Sequence, residues 1–263
     1  MPALFLLLGV PVLATWDNAQ QRLVTNMATE GHDVTLVYNH MPKTGGSTIK
    51  MMLAKVVRNF RKRNENYQFE EEDFAPNTFR VTSIRSPCQY YRSLWTFGSR
   101  GGGSFHKQMV HRGYEEYYGS KAPYDSARDL AKFEKWLQVV GSVYQDRLQR
   151  KLLNKALGNQ TIASSSARNI DCWVRTENMR EDLQTCLKMF ESRGGLVDWE
   201  AFEIYKDAHK NPSDHAKCHL YFNKARKNLV EEFNKEIFEN FQFDDCCSGA
   251  GMKGNTVVRQ RKH

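Results

Sequence analysis

The sequence predicts an α/β fold, a single domain with a central, mostly parallel sheet flanked by helices. Two short runs rich in β-branched and aromatic residues, Asp33 to His40 (DVTLVYNH) and Phe79 to Ile84 (FRVTSI), are each followed by a turn signal and then by apolar residues at helical spacing. A third run, Cys172 to Arg175 (CWVR), repeats that order. Strands alternating with helices are the pattern of a parallel sheet covered by its crossovers. With 263 residues, 40% of them hydrophobic, and no internal repeat, the chain buries a substantial core. The domain is expected to span residues 32–245.

After the first run, Pro42 holds Met41 extended and ends the strand. Ile49, Met52, Leu53, Val56, Val57 and Phe60 then fall on one face of a helix starting near Gly46 or Ser47. Lys50, Lys55, Arg58, Arg61, Lys62 and Arg63 read as its solvated face. After the second run, Ser86 can cap a helix whose first residue is Pro87 and whose apolar side carries Tyr90, Tyr91, Leu94 and Trp95. From Phe97 to Ser126 there is little periodicity, which predicts a long loop, a kind that in compact domains tends to be functional or disordered.

Leu130, Phe133, Leu137, Val140, Tyr144 and Leu148 resume helical spacing, with Gly141 expected to divide it into two helices. Thr176 is expected to cap a helix bearing Met179, Leu183, Leu187 and Phe190. A last helix is expected from Cys218 to Phe241, with Leu229, Val230, Phe233, Ile237 and Phe241 inward. Residues 249–263 are small, polar and basic, and predict a disordered tail.

The chemistry concentrates at Asn39-His40-Met41-Pro42-Lys43-Thr44-Gly45-Gly46-Ser47-Thr48. A strand becomes a helix here, so the first helical amides lack partners and the peptide dipoles place partial positive charge at the turn. Gly45 and Gly46 allow an anion close to the backbone, Thr44, Ser47 and Thr48 add hydroxyls, and Lys43 adds a mobile cation. A Gly-Gly turn of this kind can also form with no ligand. At the second junction, Arg85 at the strand end and Ser93 two turns into the next helix can converge on one anion. A nucleotide triphosphatase loop requires lysine directly after its last glycine, whereas Lys43 precedes both glycines.

The order Pro-Lys-Thr-Gly-Gly-Ser-Thr at 42–48 resembles the 5′-phosphosulfate loop of sulfotransferases that use 3′-phosphoadenosine 5′-phosphosulfate (PAPS), especially the Golgi carbohydrate group. Arg85 and Ser93 resemble that family's 3′-phosphate site. The resemblance implies the P-loop-like sulfotransferase fold and transfer of a sulfuryl group from PAPS to a carbohydrate hydroxyl, with no metal. It casts Lys43 as the catalytic cation and Lys43, Thr44, Gly45, Gly46, Ser47, Thr48, Arg85 and Ser93 as donor ligands. Glu177 after CWVR and the loop Lys210 to His215 also resemble segments near the donor in relatives. The general base stays open among Glu70, Glu71, Glu72, Asp73, His106 and His111, while His40 is expected to pack or hydrogen-bond beside the loop. Two other classes stay open: a non-catalytic lumenal nucleotide- or glycan-binding protein, and a P-loop kinase-like enzyme.

A net charge of +8 suits an anionic donor and an acidic glycan. Nucleic acid is not expected, since no zinc-finger, basic-zipper or aromatic RNA-binding pattern is present. Ala3 to Ala14 is apolar but shorter than the roughly 20 residues that span a bilayer. Residues 1–15 therefore read as a signal peptide or truncated signal anchor, with a buried strand as the alternative and membrane anchoring possible. Six cysteines without metal-ligand spacing fit an oxidising lumen, and Asn159-Gln160-Thr161 is a glycosylation acceptor. Together with the resemblance these features point to the Golgi lumen.

Overall fold

The computed structural model describes residues 34–65, 69–144, 170–208, 215–241, 243 and 246–247, all in one compact unit that begins at Val34. The chain is α/β. Among the described residues the strands are β1 (Thr35–Asn39), β2 (Phe60–Arg63), β3 (Thr78–Ile84) and β4 (Cys172–Arg175). They pair in the order β2-β1-β3-β4, every pair parallel. The helices are α1 (Gly46–Val56), α2 (Pro87–Ser99), α3 (Gly103–His111), α4 (Ala127–Val143), α5 (Met179–Ser192), α6 (Trp199–Tyr205), α7 (Cys218–Tyr221), α8 (Lys224–Phe233) and α9 (Lys235–Phe241).

Leu36, Val37 and Tyr38 are each fully buried, as an interior parallel strand with both faces covered requires. Leu36 and Tyr38 stand beside Phe79 and Val81 of β3 and pack on Ile49, Leu53, Leu183, Phe190 and Phe202 from α1, α5 and α6. The other core gathers α2, α3, α4, α7, α8 and α9 around Trp95 and Trp136. Its rings meet edge to face, Trp95 lying 5.2 Å from Phe133 and 5.9 Å from Tyr221, the arrangement that aromatic quadrupoles favour.

Several elements differ from the sequence expectation. Helix α1 ends at Val56, and Val57 is extended, so Phe60, Arg61, Lys62 and Arg63 belong to the edge strand β2 and not to the helix. Phe60 happens to continue the helical period, which hides the change from sequence. Arg61 and Arg63 are not a free solvated face: they pair with Glu70, Glu72 and the fully buried Asp73 of a 3₁₀ turn at Glu71–Phe74. Charged side chains on an edge strand also discourage pairing with another chain.

The segment expected as a long loop contains α3 and a 3₁₀ turn at Glu115–Tyr117. Phe105 and Met109, one helical turn apart, anchor α3 in the core. Gly141 does not break α4, which runs on to Val143; the glycine leaves room for the ring of Phe233, where a Cβ would overlap. Thr176 opens a 3₁₀ turn at Thr176–Asn178 and donates its hydroxyl to Ile84 O (3.0 Å) instead of capping α5. The expected last helix is three pieces, interrupted by Phe222 and Asn223, whose side chain caps α8, and by the buried Asn234.

Disulfides join Cys88 to Cys246, Cys172 to Cys186 and Cys218 to Cys247, a set that belongs to an oxidising secretory or extracellular environment. No helix among the described residues is long and apolar enough to cross a membrane. The apolar run Ala3 to Ala14, the acceptor Asn159, Leu148, residues 210–214 and the tail lie outside the described residues.

Candidate functional site

From β1 the chain crosses through α1 to β2 on one side, while β3 lies on the other side of β1. In open parallel sheets such a reversal leaves a crevice beyond the carboxyl ends of the two strands, and ligands bind there. The loop 40–45 leaves β1 at this point and Arg85 and Ser86 leave β3. The sheet order, not either motif alone, places them side by side.

The loop has two residues in the left-handed region, Lys43 (φ 64) and Gly45 (φ 75). For lysine that conformation costs about 1–2 kcal/mol and persists only where the surroundings fix it. One fixing contact is Arg85 Nη1, which donates to Lys43 O at 3.2 Å. The first amides of α1 with carbonyl partners are those of Thr48 (3.0 Å) and Ile49 (3.2 Å), both donating to Gly45 O. Among the described residues the amides of Gly45, Gly46 and Ser47 find no acceptor, and they form the positive end of the helix.

Two expected roles change. The Cβ positions at Gly45 and Gly46 are already occupied, by the Met179 methyl group and the His40 ring respectively. The glycines therefore seat the protein's own side chains as well as exposing backbone. Thr44 is fully buried, and its hydroxyl donates to Met41 O (2.8 Å) and contacts Ser83 Oγ (2.6 Å), which in turn meets Tyr38 Oη (2.6 Å). Its side chain holds the loop to β3 and leaves only its backbone for a ligand. Thr44→Val should leave Ser83 and Met41 short of a partner and cost about 1–3 kcal/mol, read as a thermal midpoint several degrees lower.

The Lys43 ammonium sits over the Phe97 ring, 3.9 Å from its centroid. Burial, then the charges of Arg85 and Arg100, push the Lys43 pKa down to about 8 against the opposing pull of Glu65. Glu65 lies just past the carboxyl end of β2, half exposed, with Oε1 3.1 Å from His40 Nδ1. Sequence reading missed it because continuing α1 through Phe60 erased β2; recognising that strand would have put Glu65 at the site's edge.

Around Arg85 lies a second group of charges. Glu177, beyond β4, accepts from the Ser86 amide at 3.0 Å, while its Oε2 and Arg85 Nε are both buried without hydrogen-bond partners among the described residues. Burial lowers the Arg85 pKa and Glu177 opposes that shift; burial raises the Glu177 pKa and Arg85 opposes it. Arg92 donates to Ala216 O (3.1 Å) and to Gln89 Oε1, and burial with the charge of Arg85 brings its pKa down to about 10. His215 is held at about 4 by burial and then by Arg92 and Arg85, so it is neutral at pH 7. The region suppresses further positive charge, the electrostatic condition that an anion relieves.

Lys43 and Arg85 are thus brought together. Ser47 is partly buried and Thr48 buried in the first turn of α1. Ser93 is 1% exposed on α2, and no hydrogen bond joins it to Arg85 among the described residues. Glu70, Glu72 and Asp73 are committed to Arg61 and Arg63, while His106 packs on Tyr118 at 4.7 Å. His111 ends α3 at the surface. Among the described residues no group of three or more His, Cys, Asp or Glu side chains is placed to hold a metal ion. Comparison of the chain with family models, curated proteins and solved structures finds no match.

Proposed function

We propose that the protein is a PAPS-dependent sulfotransferase that transfers a sulfuryl group to a carbohydrate hydroxyl, working in the Golgi lumen. The observation that carries this reading is the 3.2 Å contact between Arg85 Nη1 and Lys43 O, which joins two anion-binding junctions at one crevice. A donor with a phosphosulfate at one end of an adenosine and a phosphate at the other needs such a pair. The free amides of Gly45, Gly46 and Ser47, with the hydroxyls of Ser47 and Thr48, receive the 5′ end; Arg85, with Ser93, receives the 3′-phosphate.

The acceptor oxygen attacks sulfur in line, the bond from sulfur to the 5′-phosphate oxygen breaks, and the Lys43 ammonium meets the charge left on that oxygen. The acceptor proton passes to Glu65, whose exposed carboxylate lies near Lys43 and whose other neighbour, His40, fixes its orientation. Glu65→Gln should lower kcat by about 10²–10⁴-fold with the dissociation constant of 3′-phosphoadenosine 5′-phosphate nearly unchanged.

Calorimetric titration with 3′-phosphoadenosine 5′-phosphate and, separately, with ATP and magnesium, followed by radiolabelled donor with a panel of glycans, tests the reading. Binding of the first ligand and labelling of a glycan support it. Binding without labelling of any glycan favours a non-catalytic binding protein, and magnesium-dependent ATP binding alone favours a kinase-like enzyme.

A further inference from the structure

We propose that Phe97 is the positioning residue for Lys43, its ring holding the ammonium at the mouth of the loop until an anionic ligand draws it away. Phe97 lies near the end of α2 and is 40% exposed, so its ring is open to the loop mouth. Its ring face carries the Lys43 Nζ at 3.9 Å from the centroid. A cation over the face of an aromatic ring is attracted by the ring's quadrupole.

The glycine run after α2 holds the ring in place. A Cβ at Gly102 would lie 2.7 Å from Phe97 Cε2 and Cζ, and one at Gly103 would lie 3.0 Å from Cε1. Gly101 (φ 75) and Gly103 (φ 89) turn the chain back over the ring tip, and the Gly102 amide donates to Phe97 O at 3.0 Å. The glycine run, read from sequence as part of a long loop, thus packs against α2.

The charged groups that face Lys43 are Arg85 after β3, Arg100 at the end of α2 and Glu65 after β2. Two of the three repel the ammonium, and burial opposes its charge as well. The ring supplies attraction that does not depend on a counter-ion, and it is weak enough for a phosphosulfate to overcome. This role rests on reading Lys43 as the group that meets the donor.

The test is an NMR pH titration of ¹³Cε-lysine-labelled protein without donor, with the Lys43 signal assigned through Lys43→Arg. Phe97→Leu is expected to lower the Lys43 midpoint by roughly half a unit to one unit, and Phe97→Tyr, which keeps the ring face, to leave it in place. Because Phe97 is largely outside the core, the leucine variant keeps the fold. An unmoved midpoint in Phe97→Leu, or equal shifts in both variants, overturns the proposal. Failure of the sulfotransferase reading shows separately, as wild-type protein that does not bind 3′-phosphoadenosine 5′-phosphate.

Discussion

Lys43→Ala is expected to reduce sulfuryl transfer by about 10³-fold while weakening 3′-phosphoadenosine 5′-phosphate binding by no more than about tenfold. The separation follows from geometry. The lysine side chain reaches the mouth of the loop, where in the proposed reaction charge would appear as the bond to sulfur breaks. The proposed binding contacts are the backbone of Gly45 to Ser47 and the Arg85 guanidinium, and the substitution leaves both in place. Parallel single-turnover and calorimetric measurements check it, and equal losses in both would contradict the assignment.

The same residue sets a pH limit. With the Lys43 pKa near 8, the ammonium is charged below that value and neutral above it. The kcat/KM for donor should therefore fall as pH rises through about 8, since that ratio reports ionisations of the free enzyme. Lys43→Arg, always cationic, should keep partial activity and lose that alkaline limb. A limb unchanged in the arginine variant would assign it to another group.

Arg85→Ala is expected to weaken donor binding on the order of 100-fold or more, because the proposed phosphate site loses a partly buried guanidinium whose Nε has no hydrogen-bond partner among the described residues. It should also destabilise the fold by about 1–3 kcal/mol, through removal of the hydrogen bond to Lys43 O and of the charge facing Glu177. The signs can be separated. Glu177 has a folded-state pKa already raised by burial, so without Arg85 the cost of keeping it ionised is present at neutral pH. That cost disappears as pH falls through the raised pKa. Thermal midpoints of Arg85→Ala should approach wild type on acidification, and Arg85→Ala with Glu177→Gln should regain stability at pH 7 without regaining donor affinity. Recovery of both would mean that Arg85 only balances Glu177.

The sheet core was legible because its signals are local. Leu36 to Tyr38 is an unbroken apolar run, which a strand covered on both faces tolerates, and Phe79, Val81 and Ile84 give the second run its apolar positions. Pro42 and Pro87 mark the turns and the helix start after each. Elements with weak or borrowed periodicity were missed. Phe60 lies in phase with α1 but joins β2, and α3 is held by only Phe105 and Met109. Gly141 reads as a breaker until Phe233, from a distant helix, fills the space above it.

At the site, residue types were readable and relations were not. Lys43, Gly45, Gly46 and Arg85 stand out by spacing and turn chemistry, but Thr44 looks like a ligand until Ser83 claims its hydroxyl. Glu65 has no local mark; it reaches the edge of the crevice because β2 pairs beside β1. Glu177 owes its contact with Ser86 to β4 pairing beside β3.

By itself the sequence determined three of the strands, β1, β3 and β4, and which two junctions carry the glycines, hydroxyls and cations, since propensity, capping and glycine freedom act within a few residues. Only the tertiary structure decided that those junctions share one crevice, that Phe97 lies beneath the lysine, and that Glu65 and Glu177 stand at its sides. Strand order and the packing of distant side chains arise from long-range burial, and no short window of sequence contains that information.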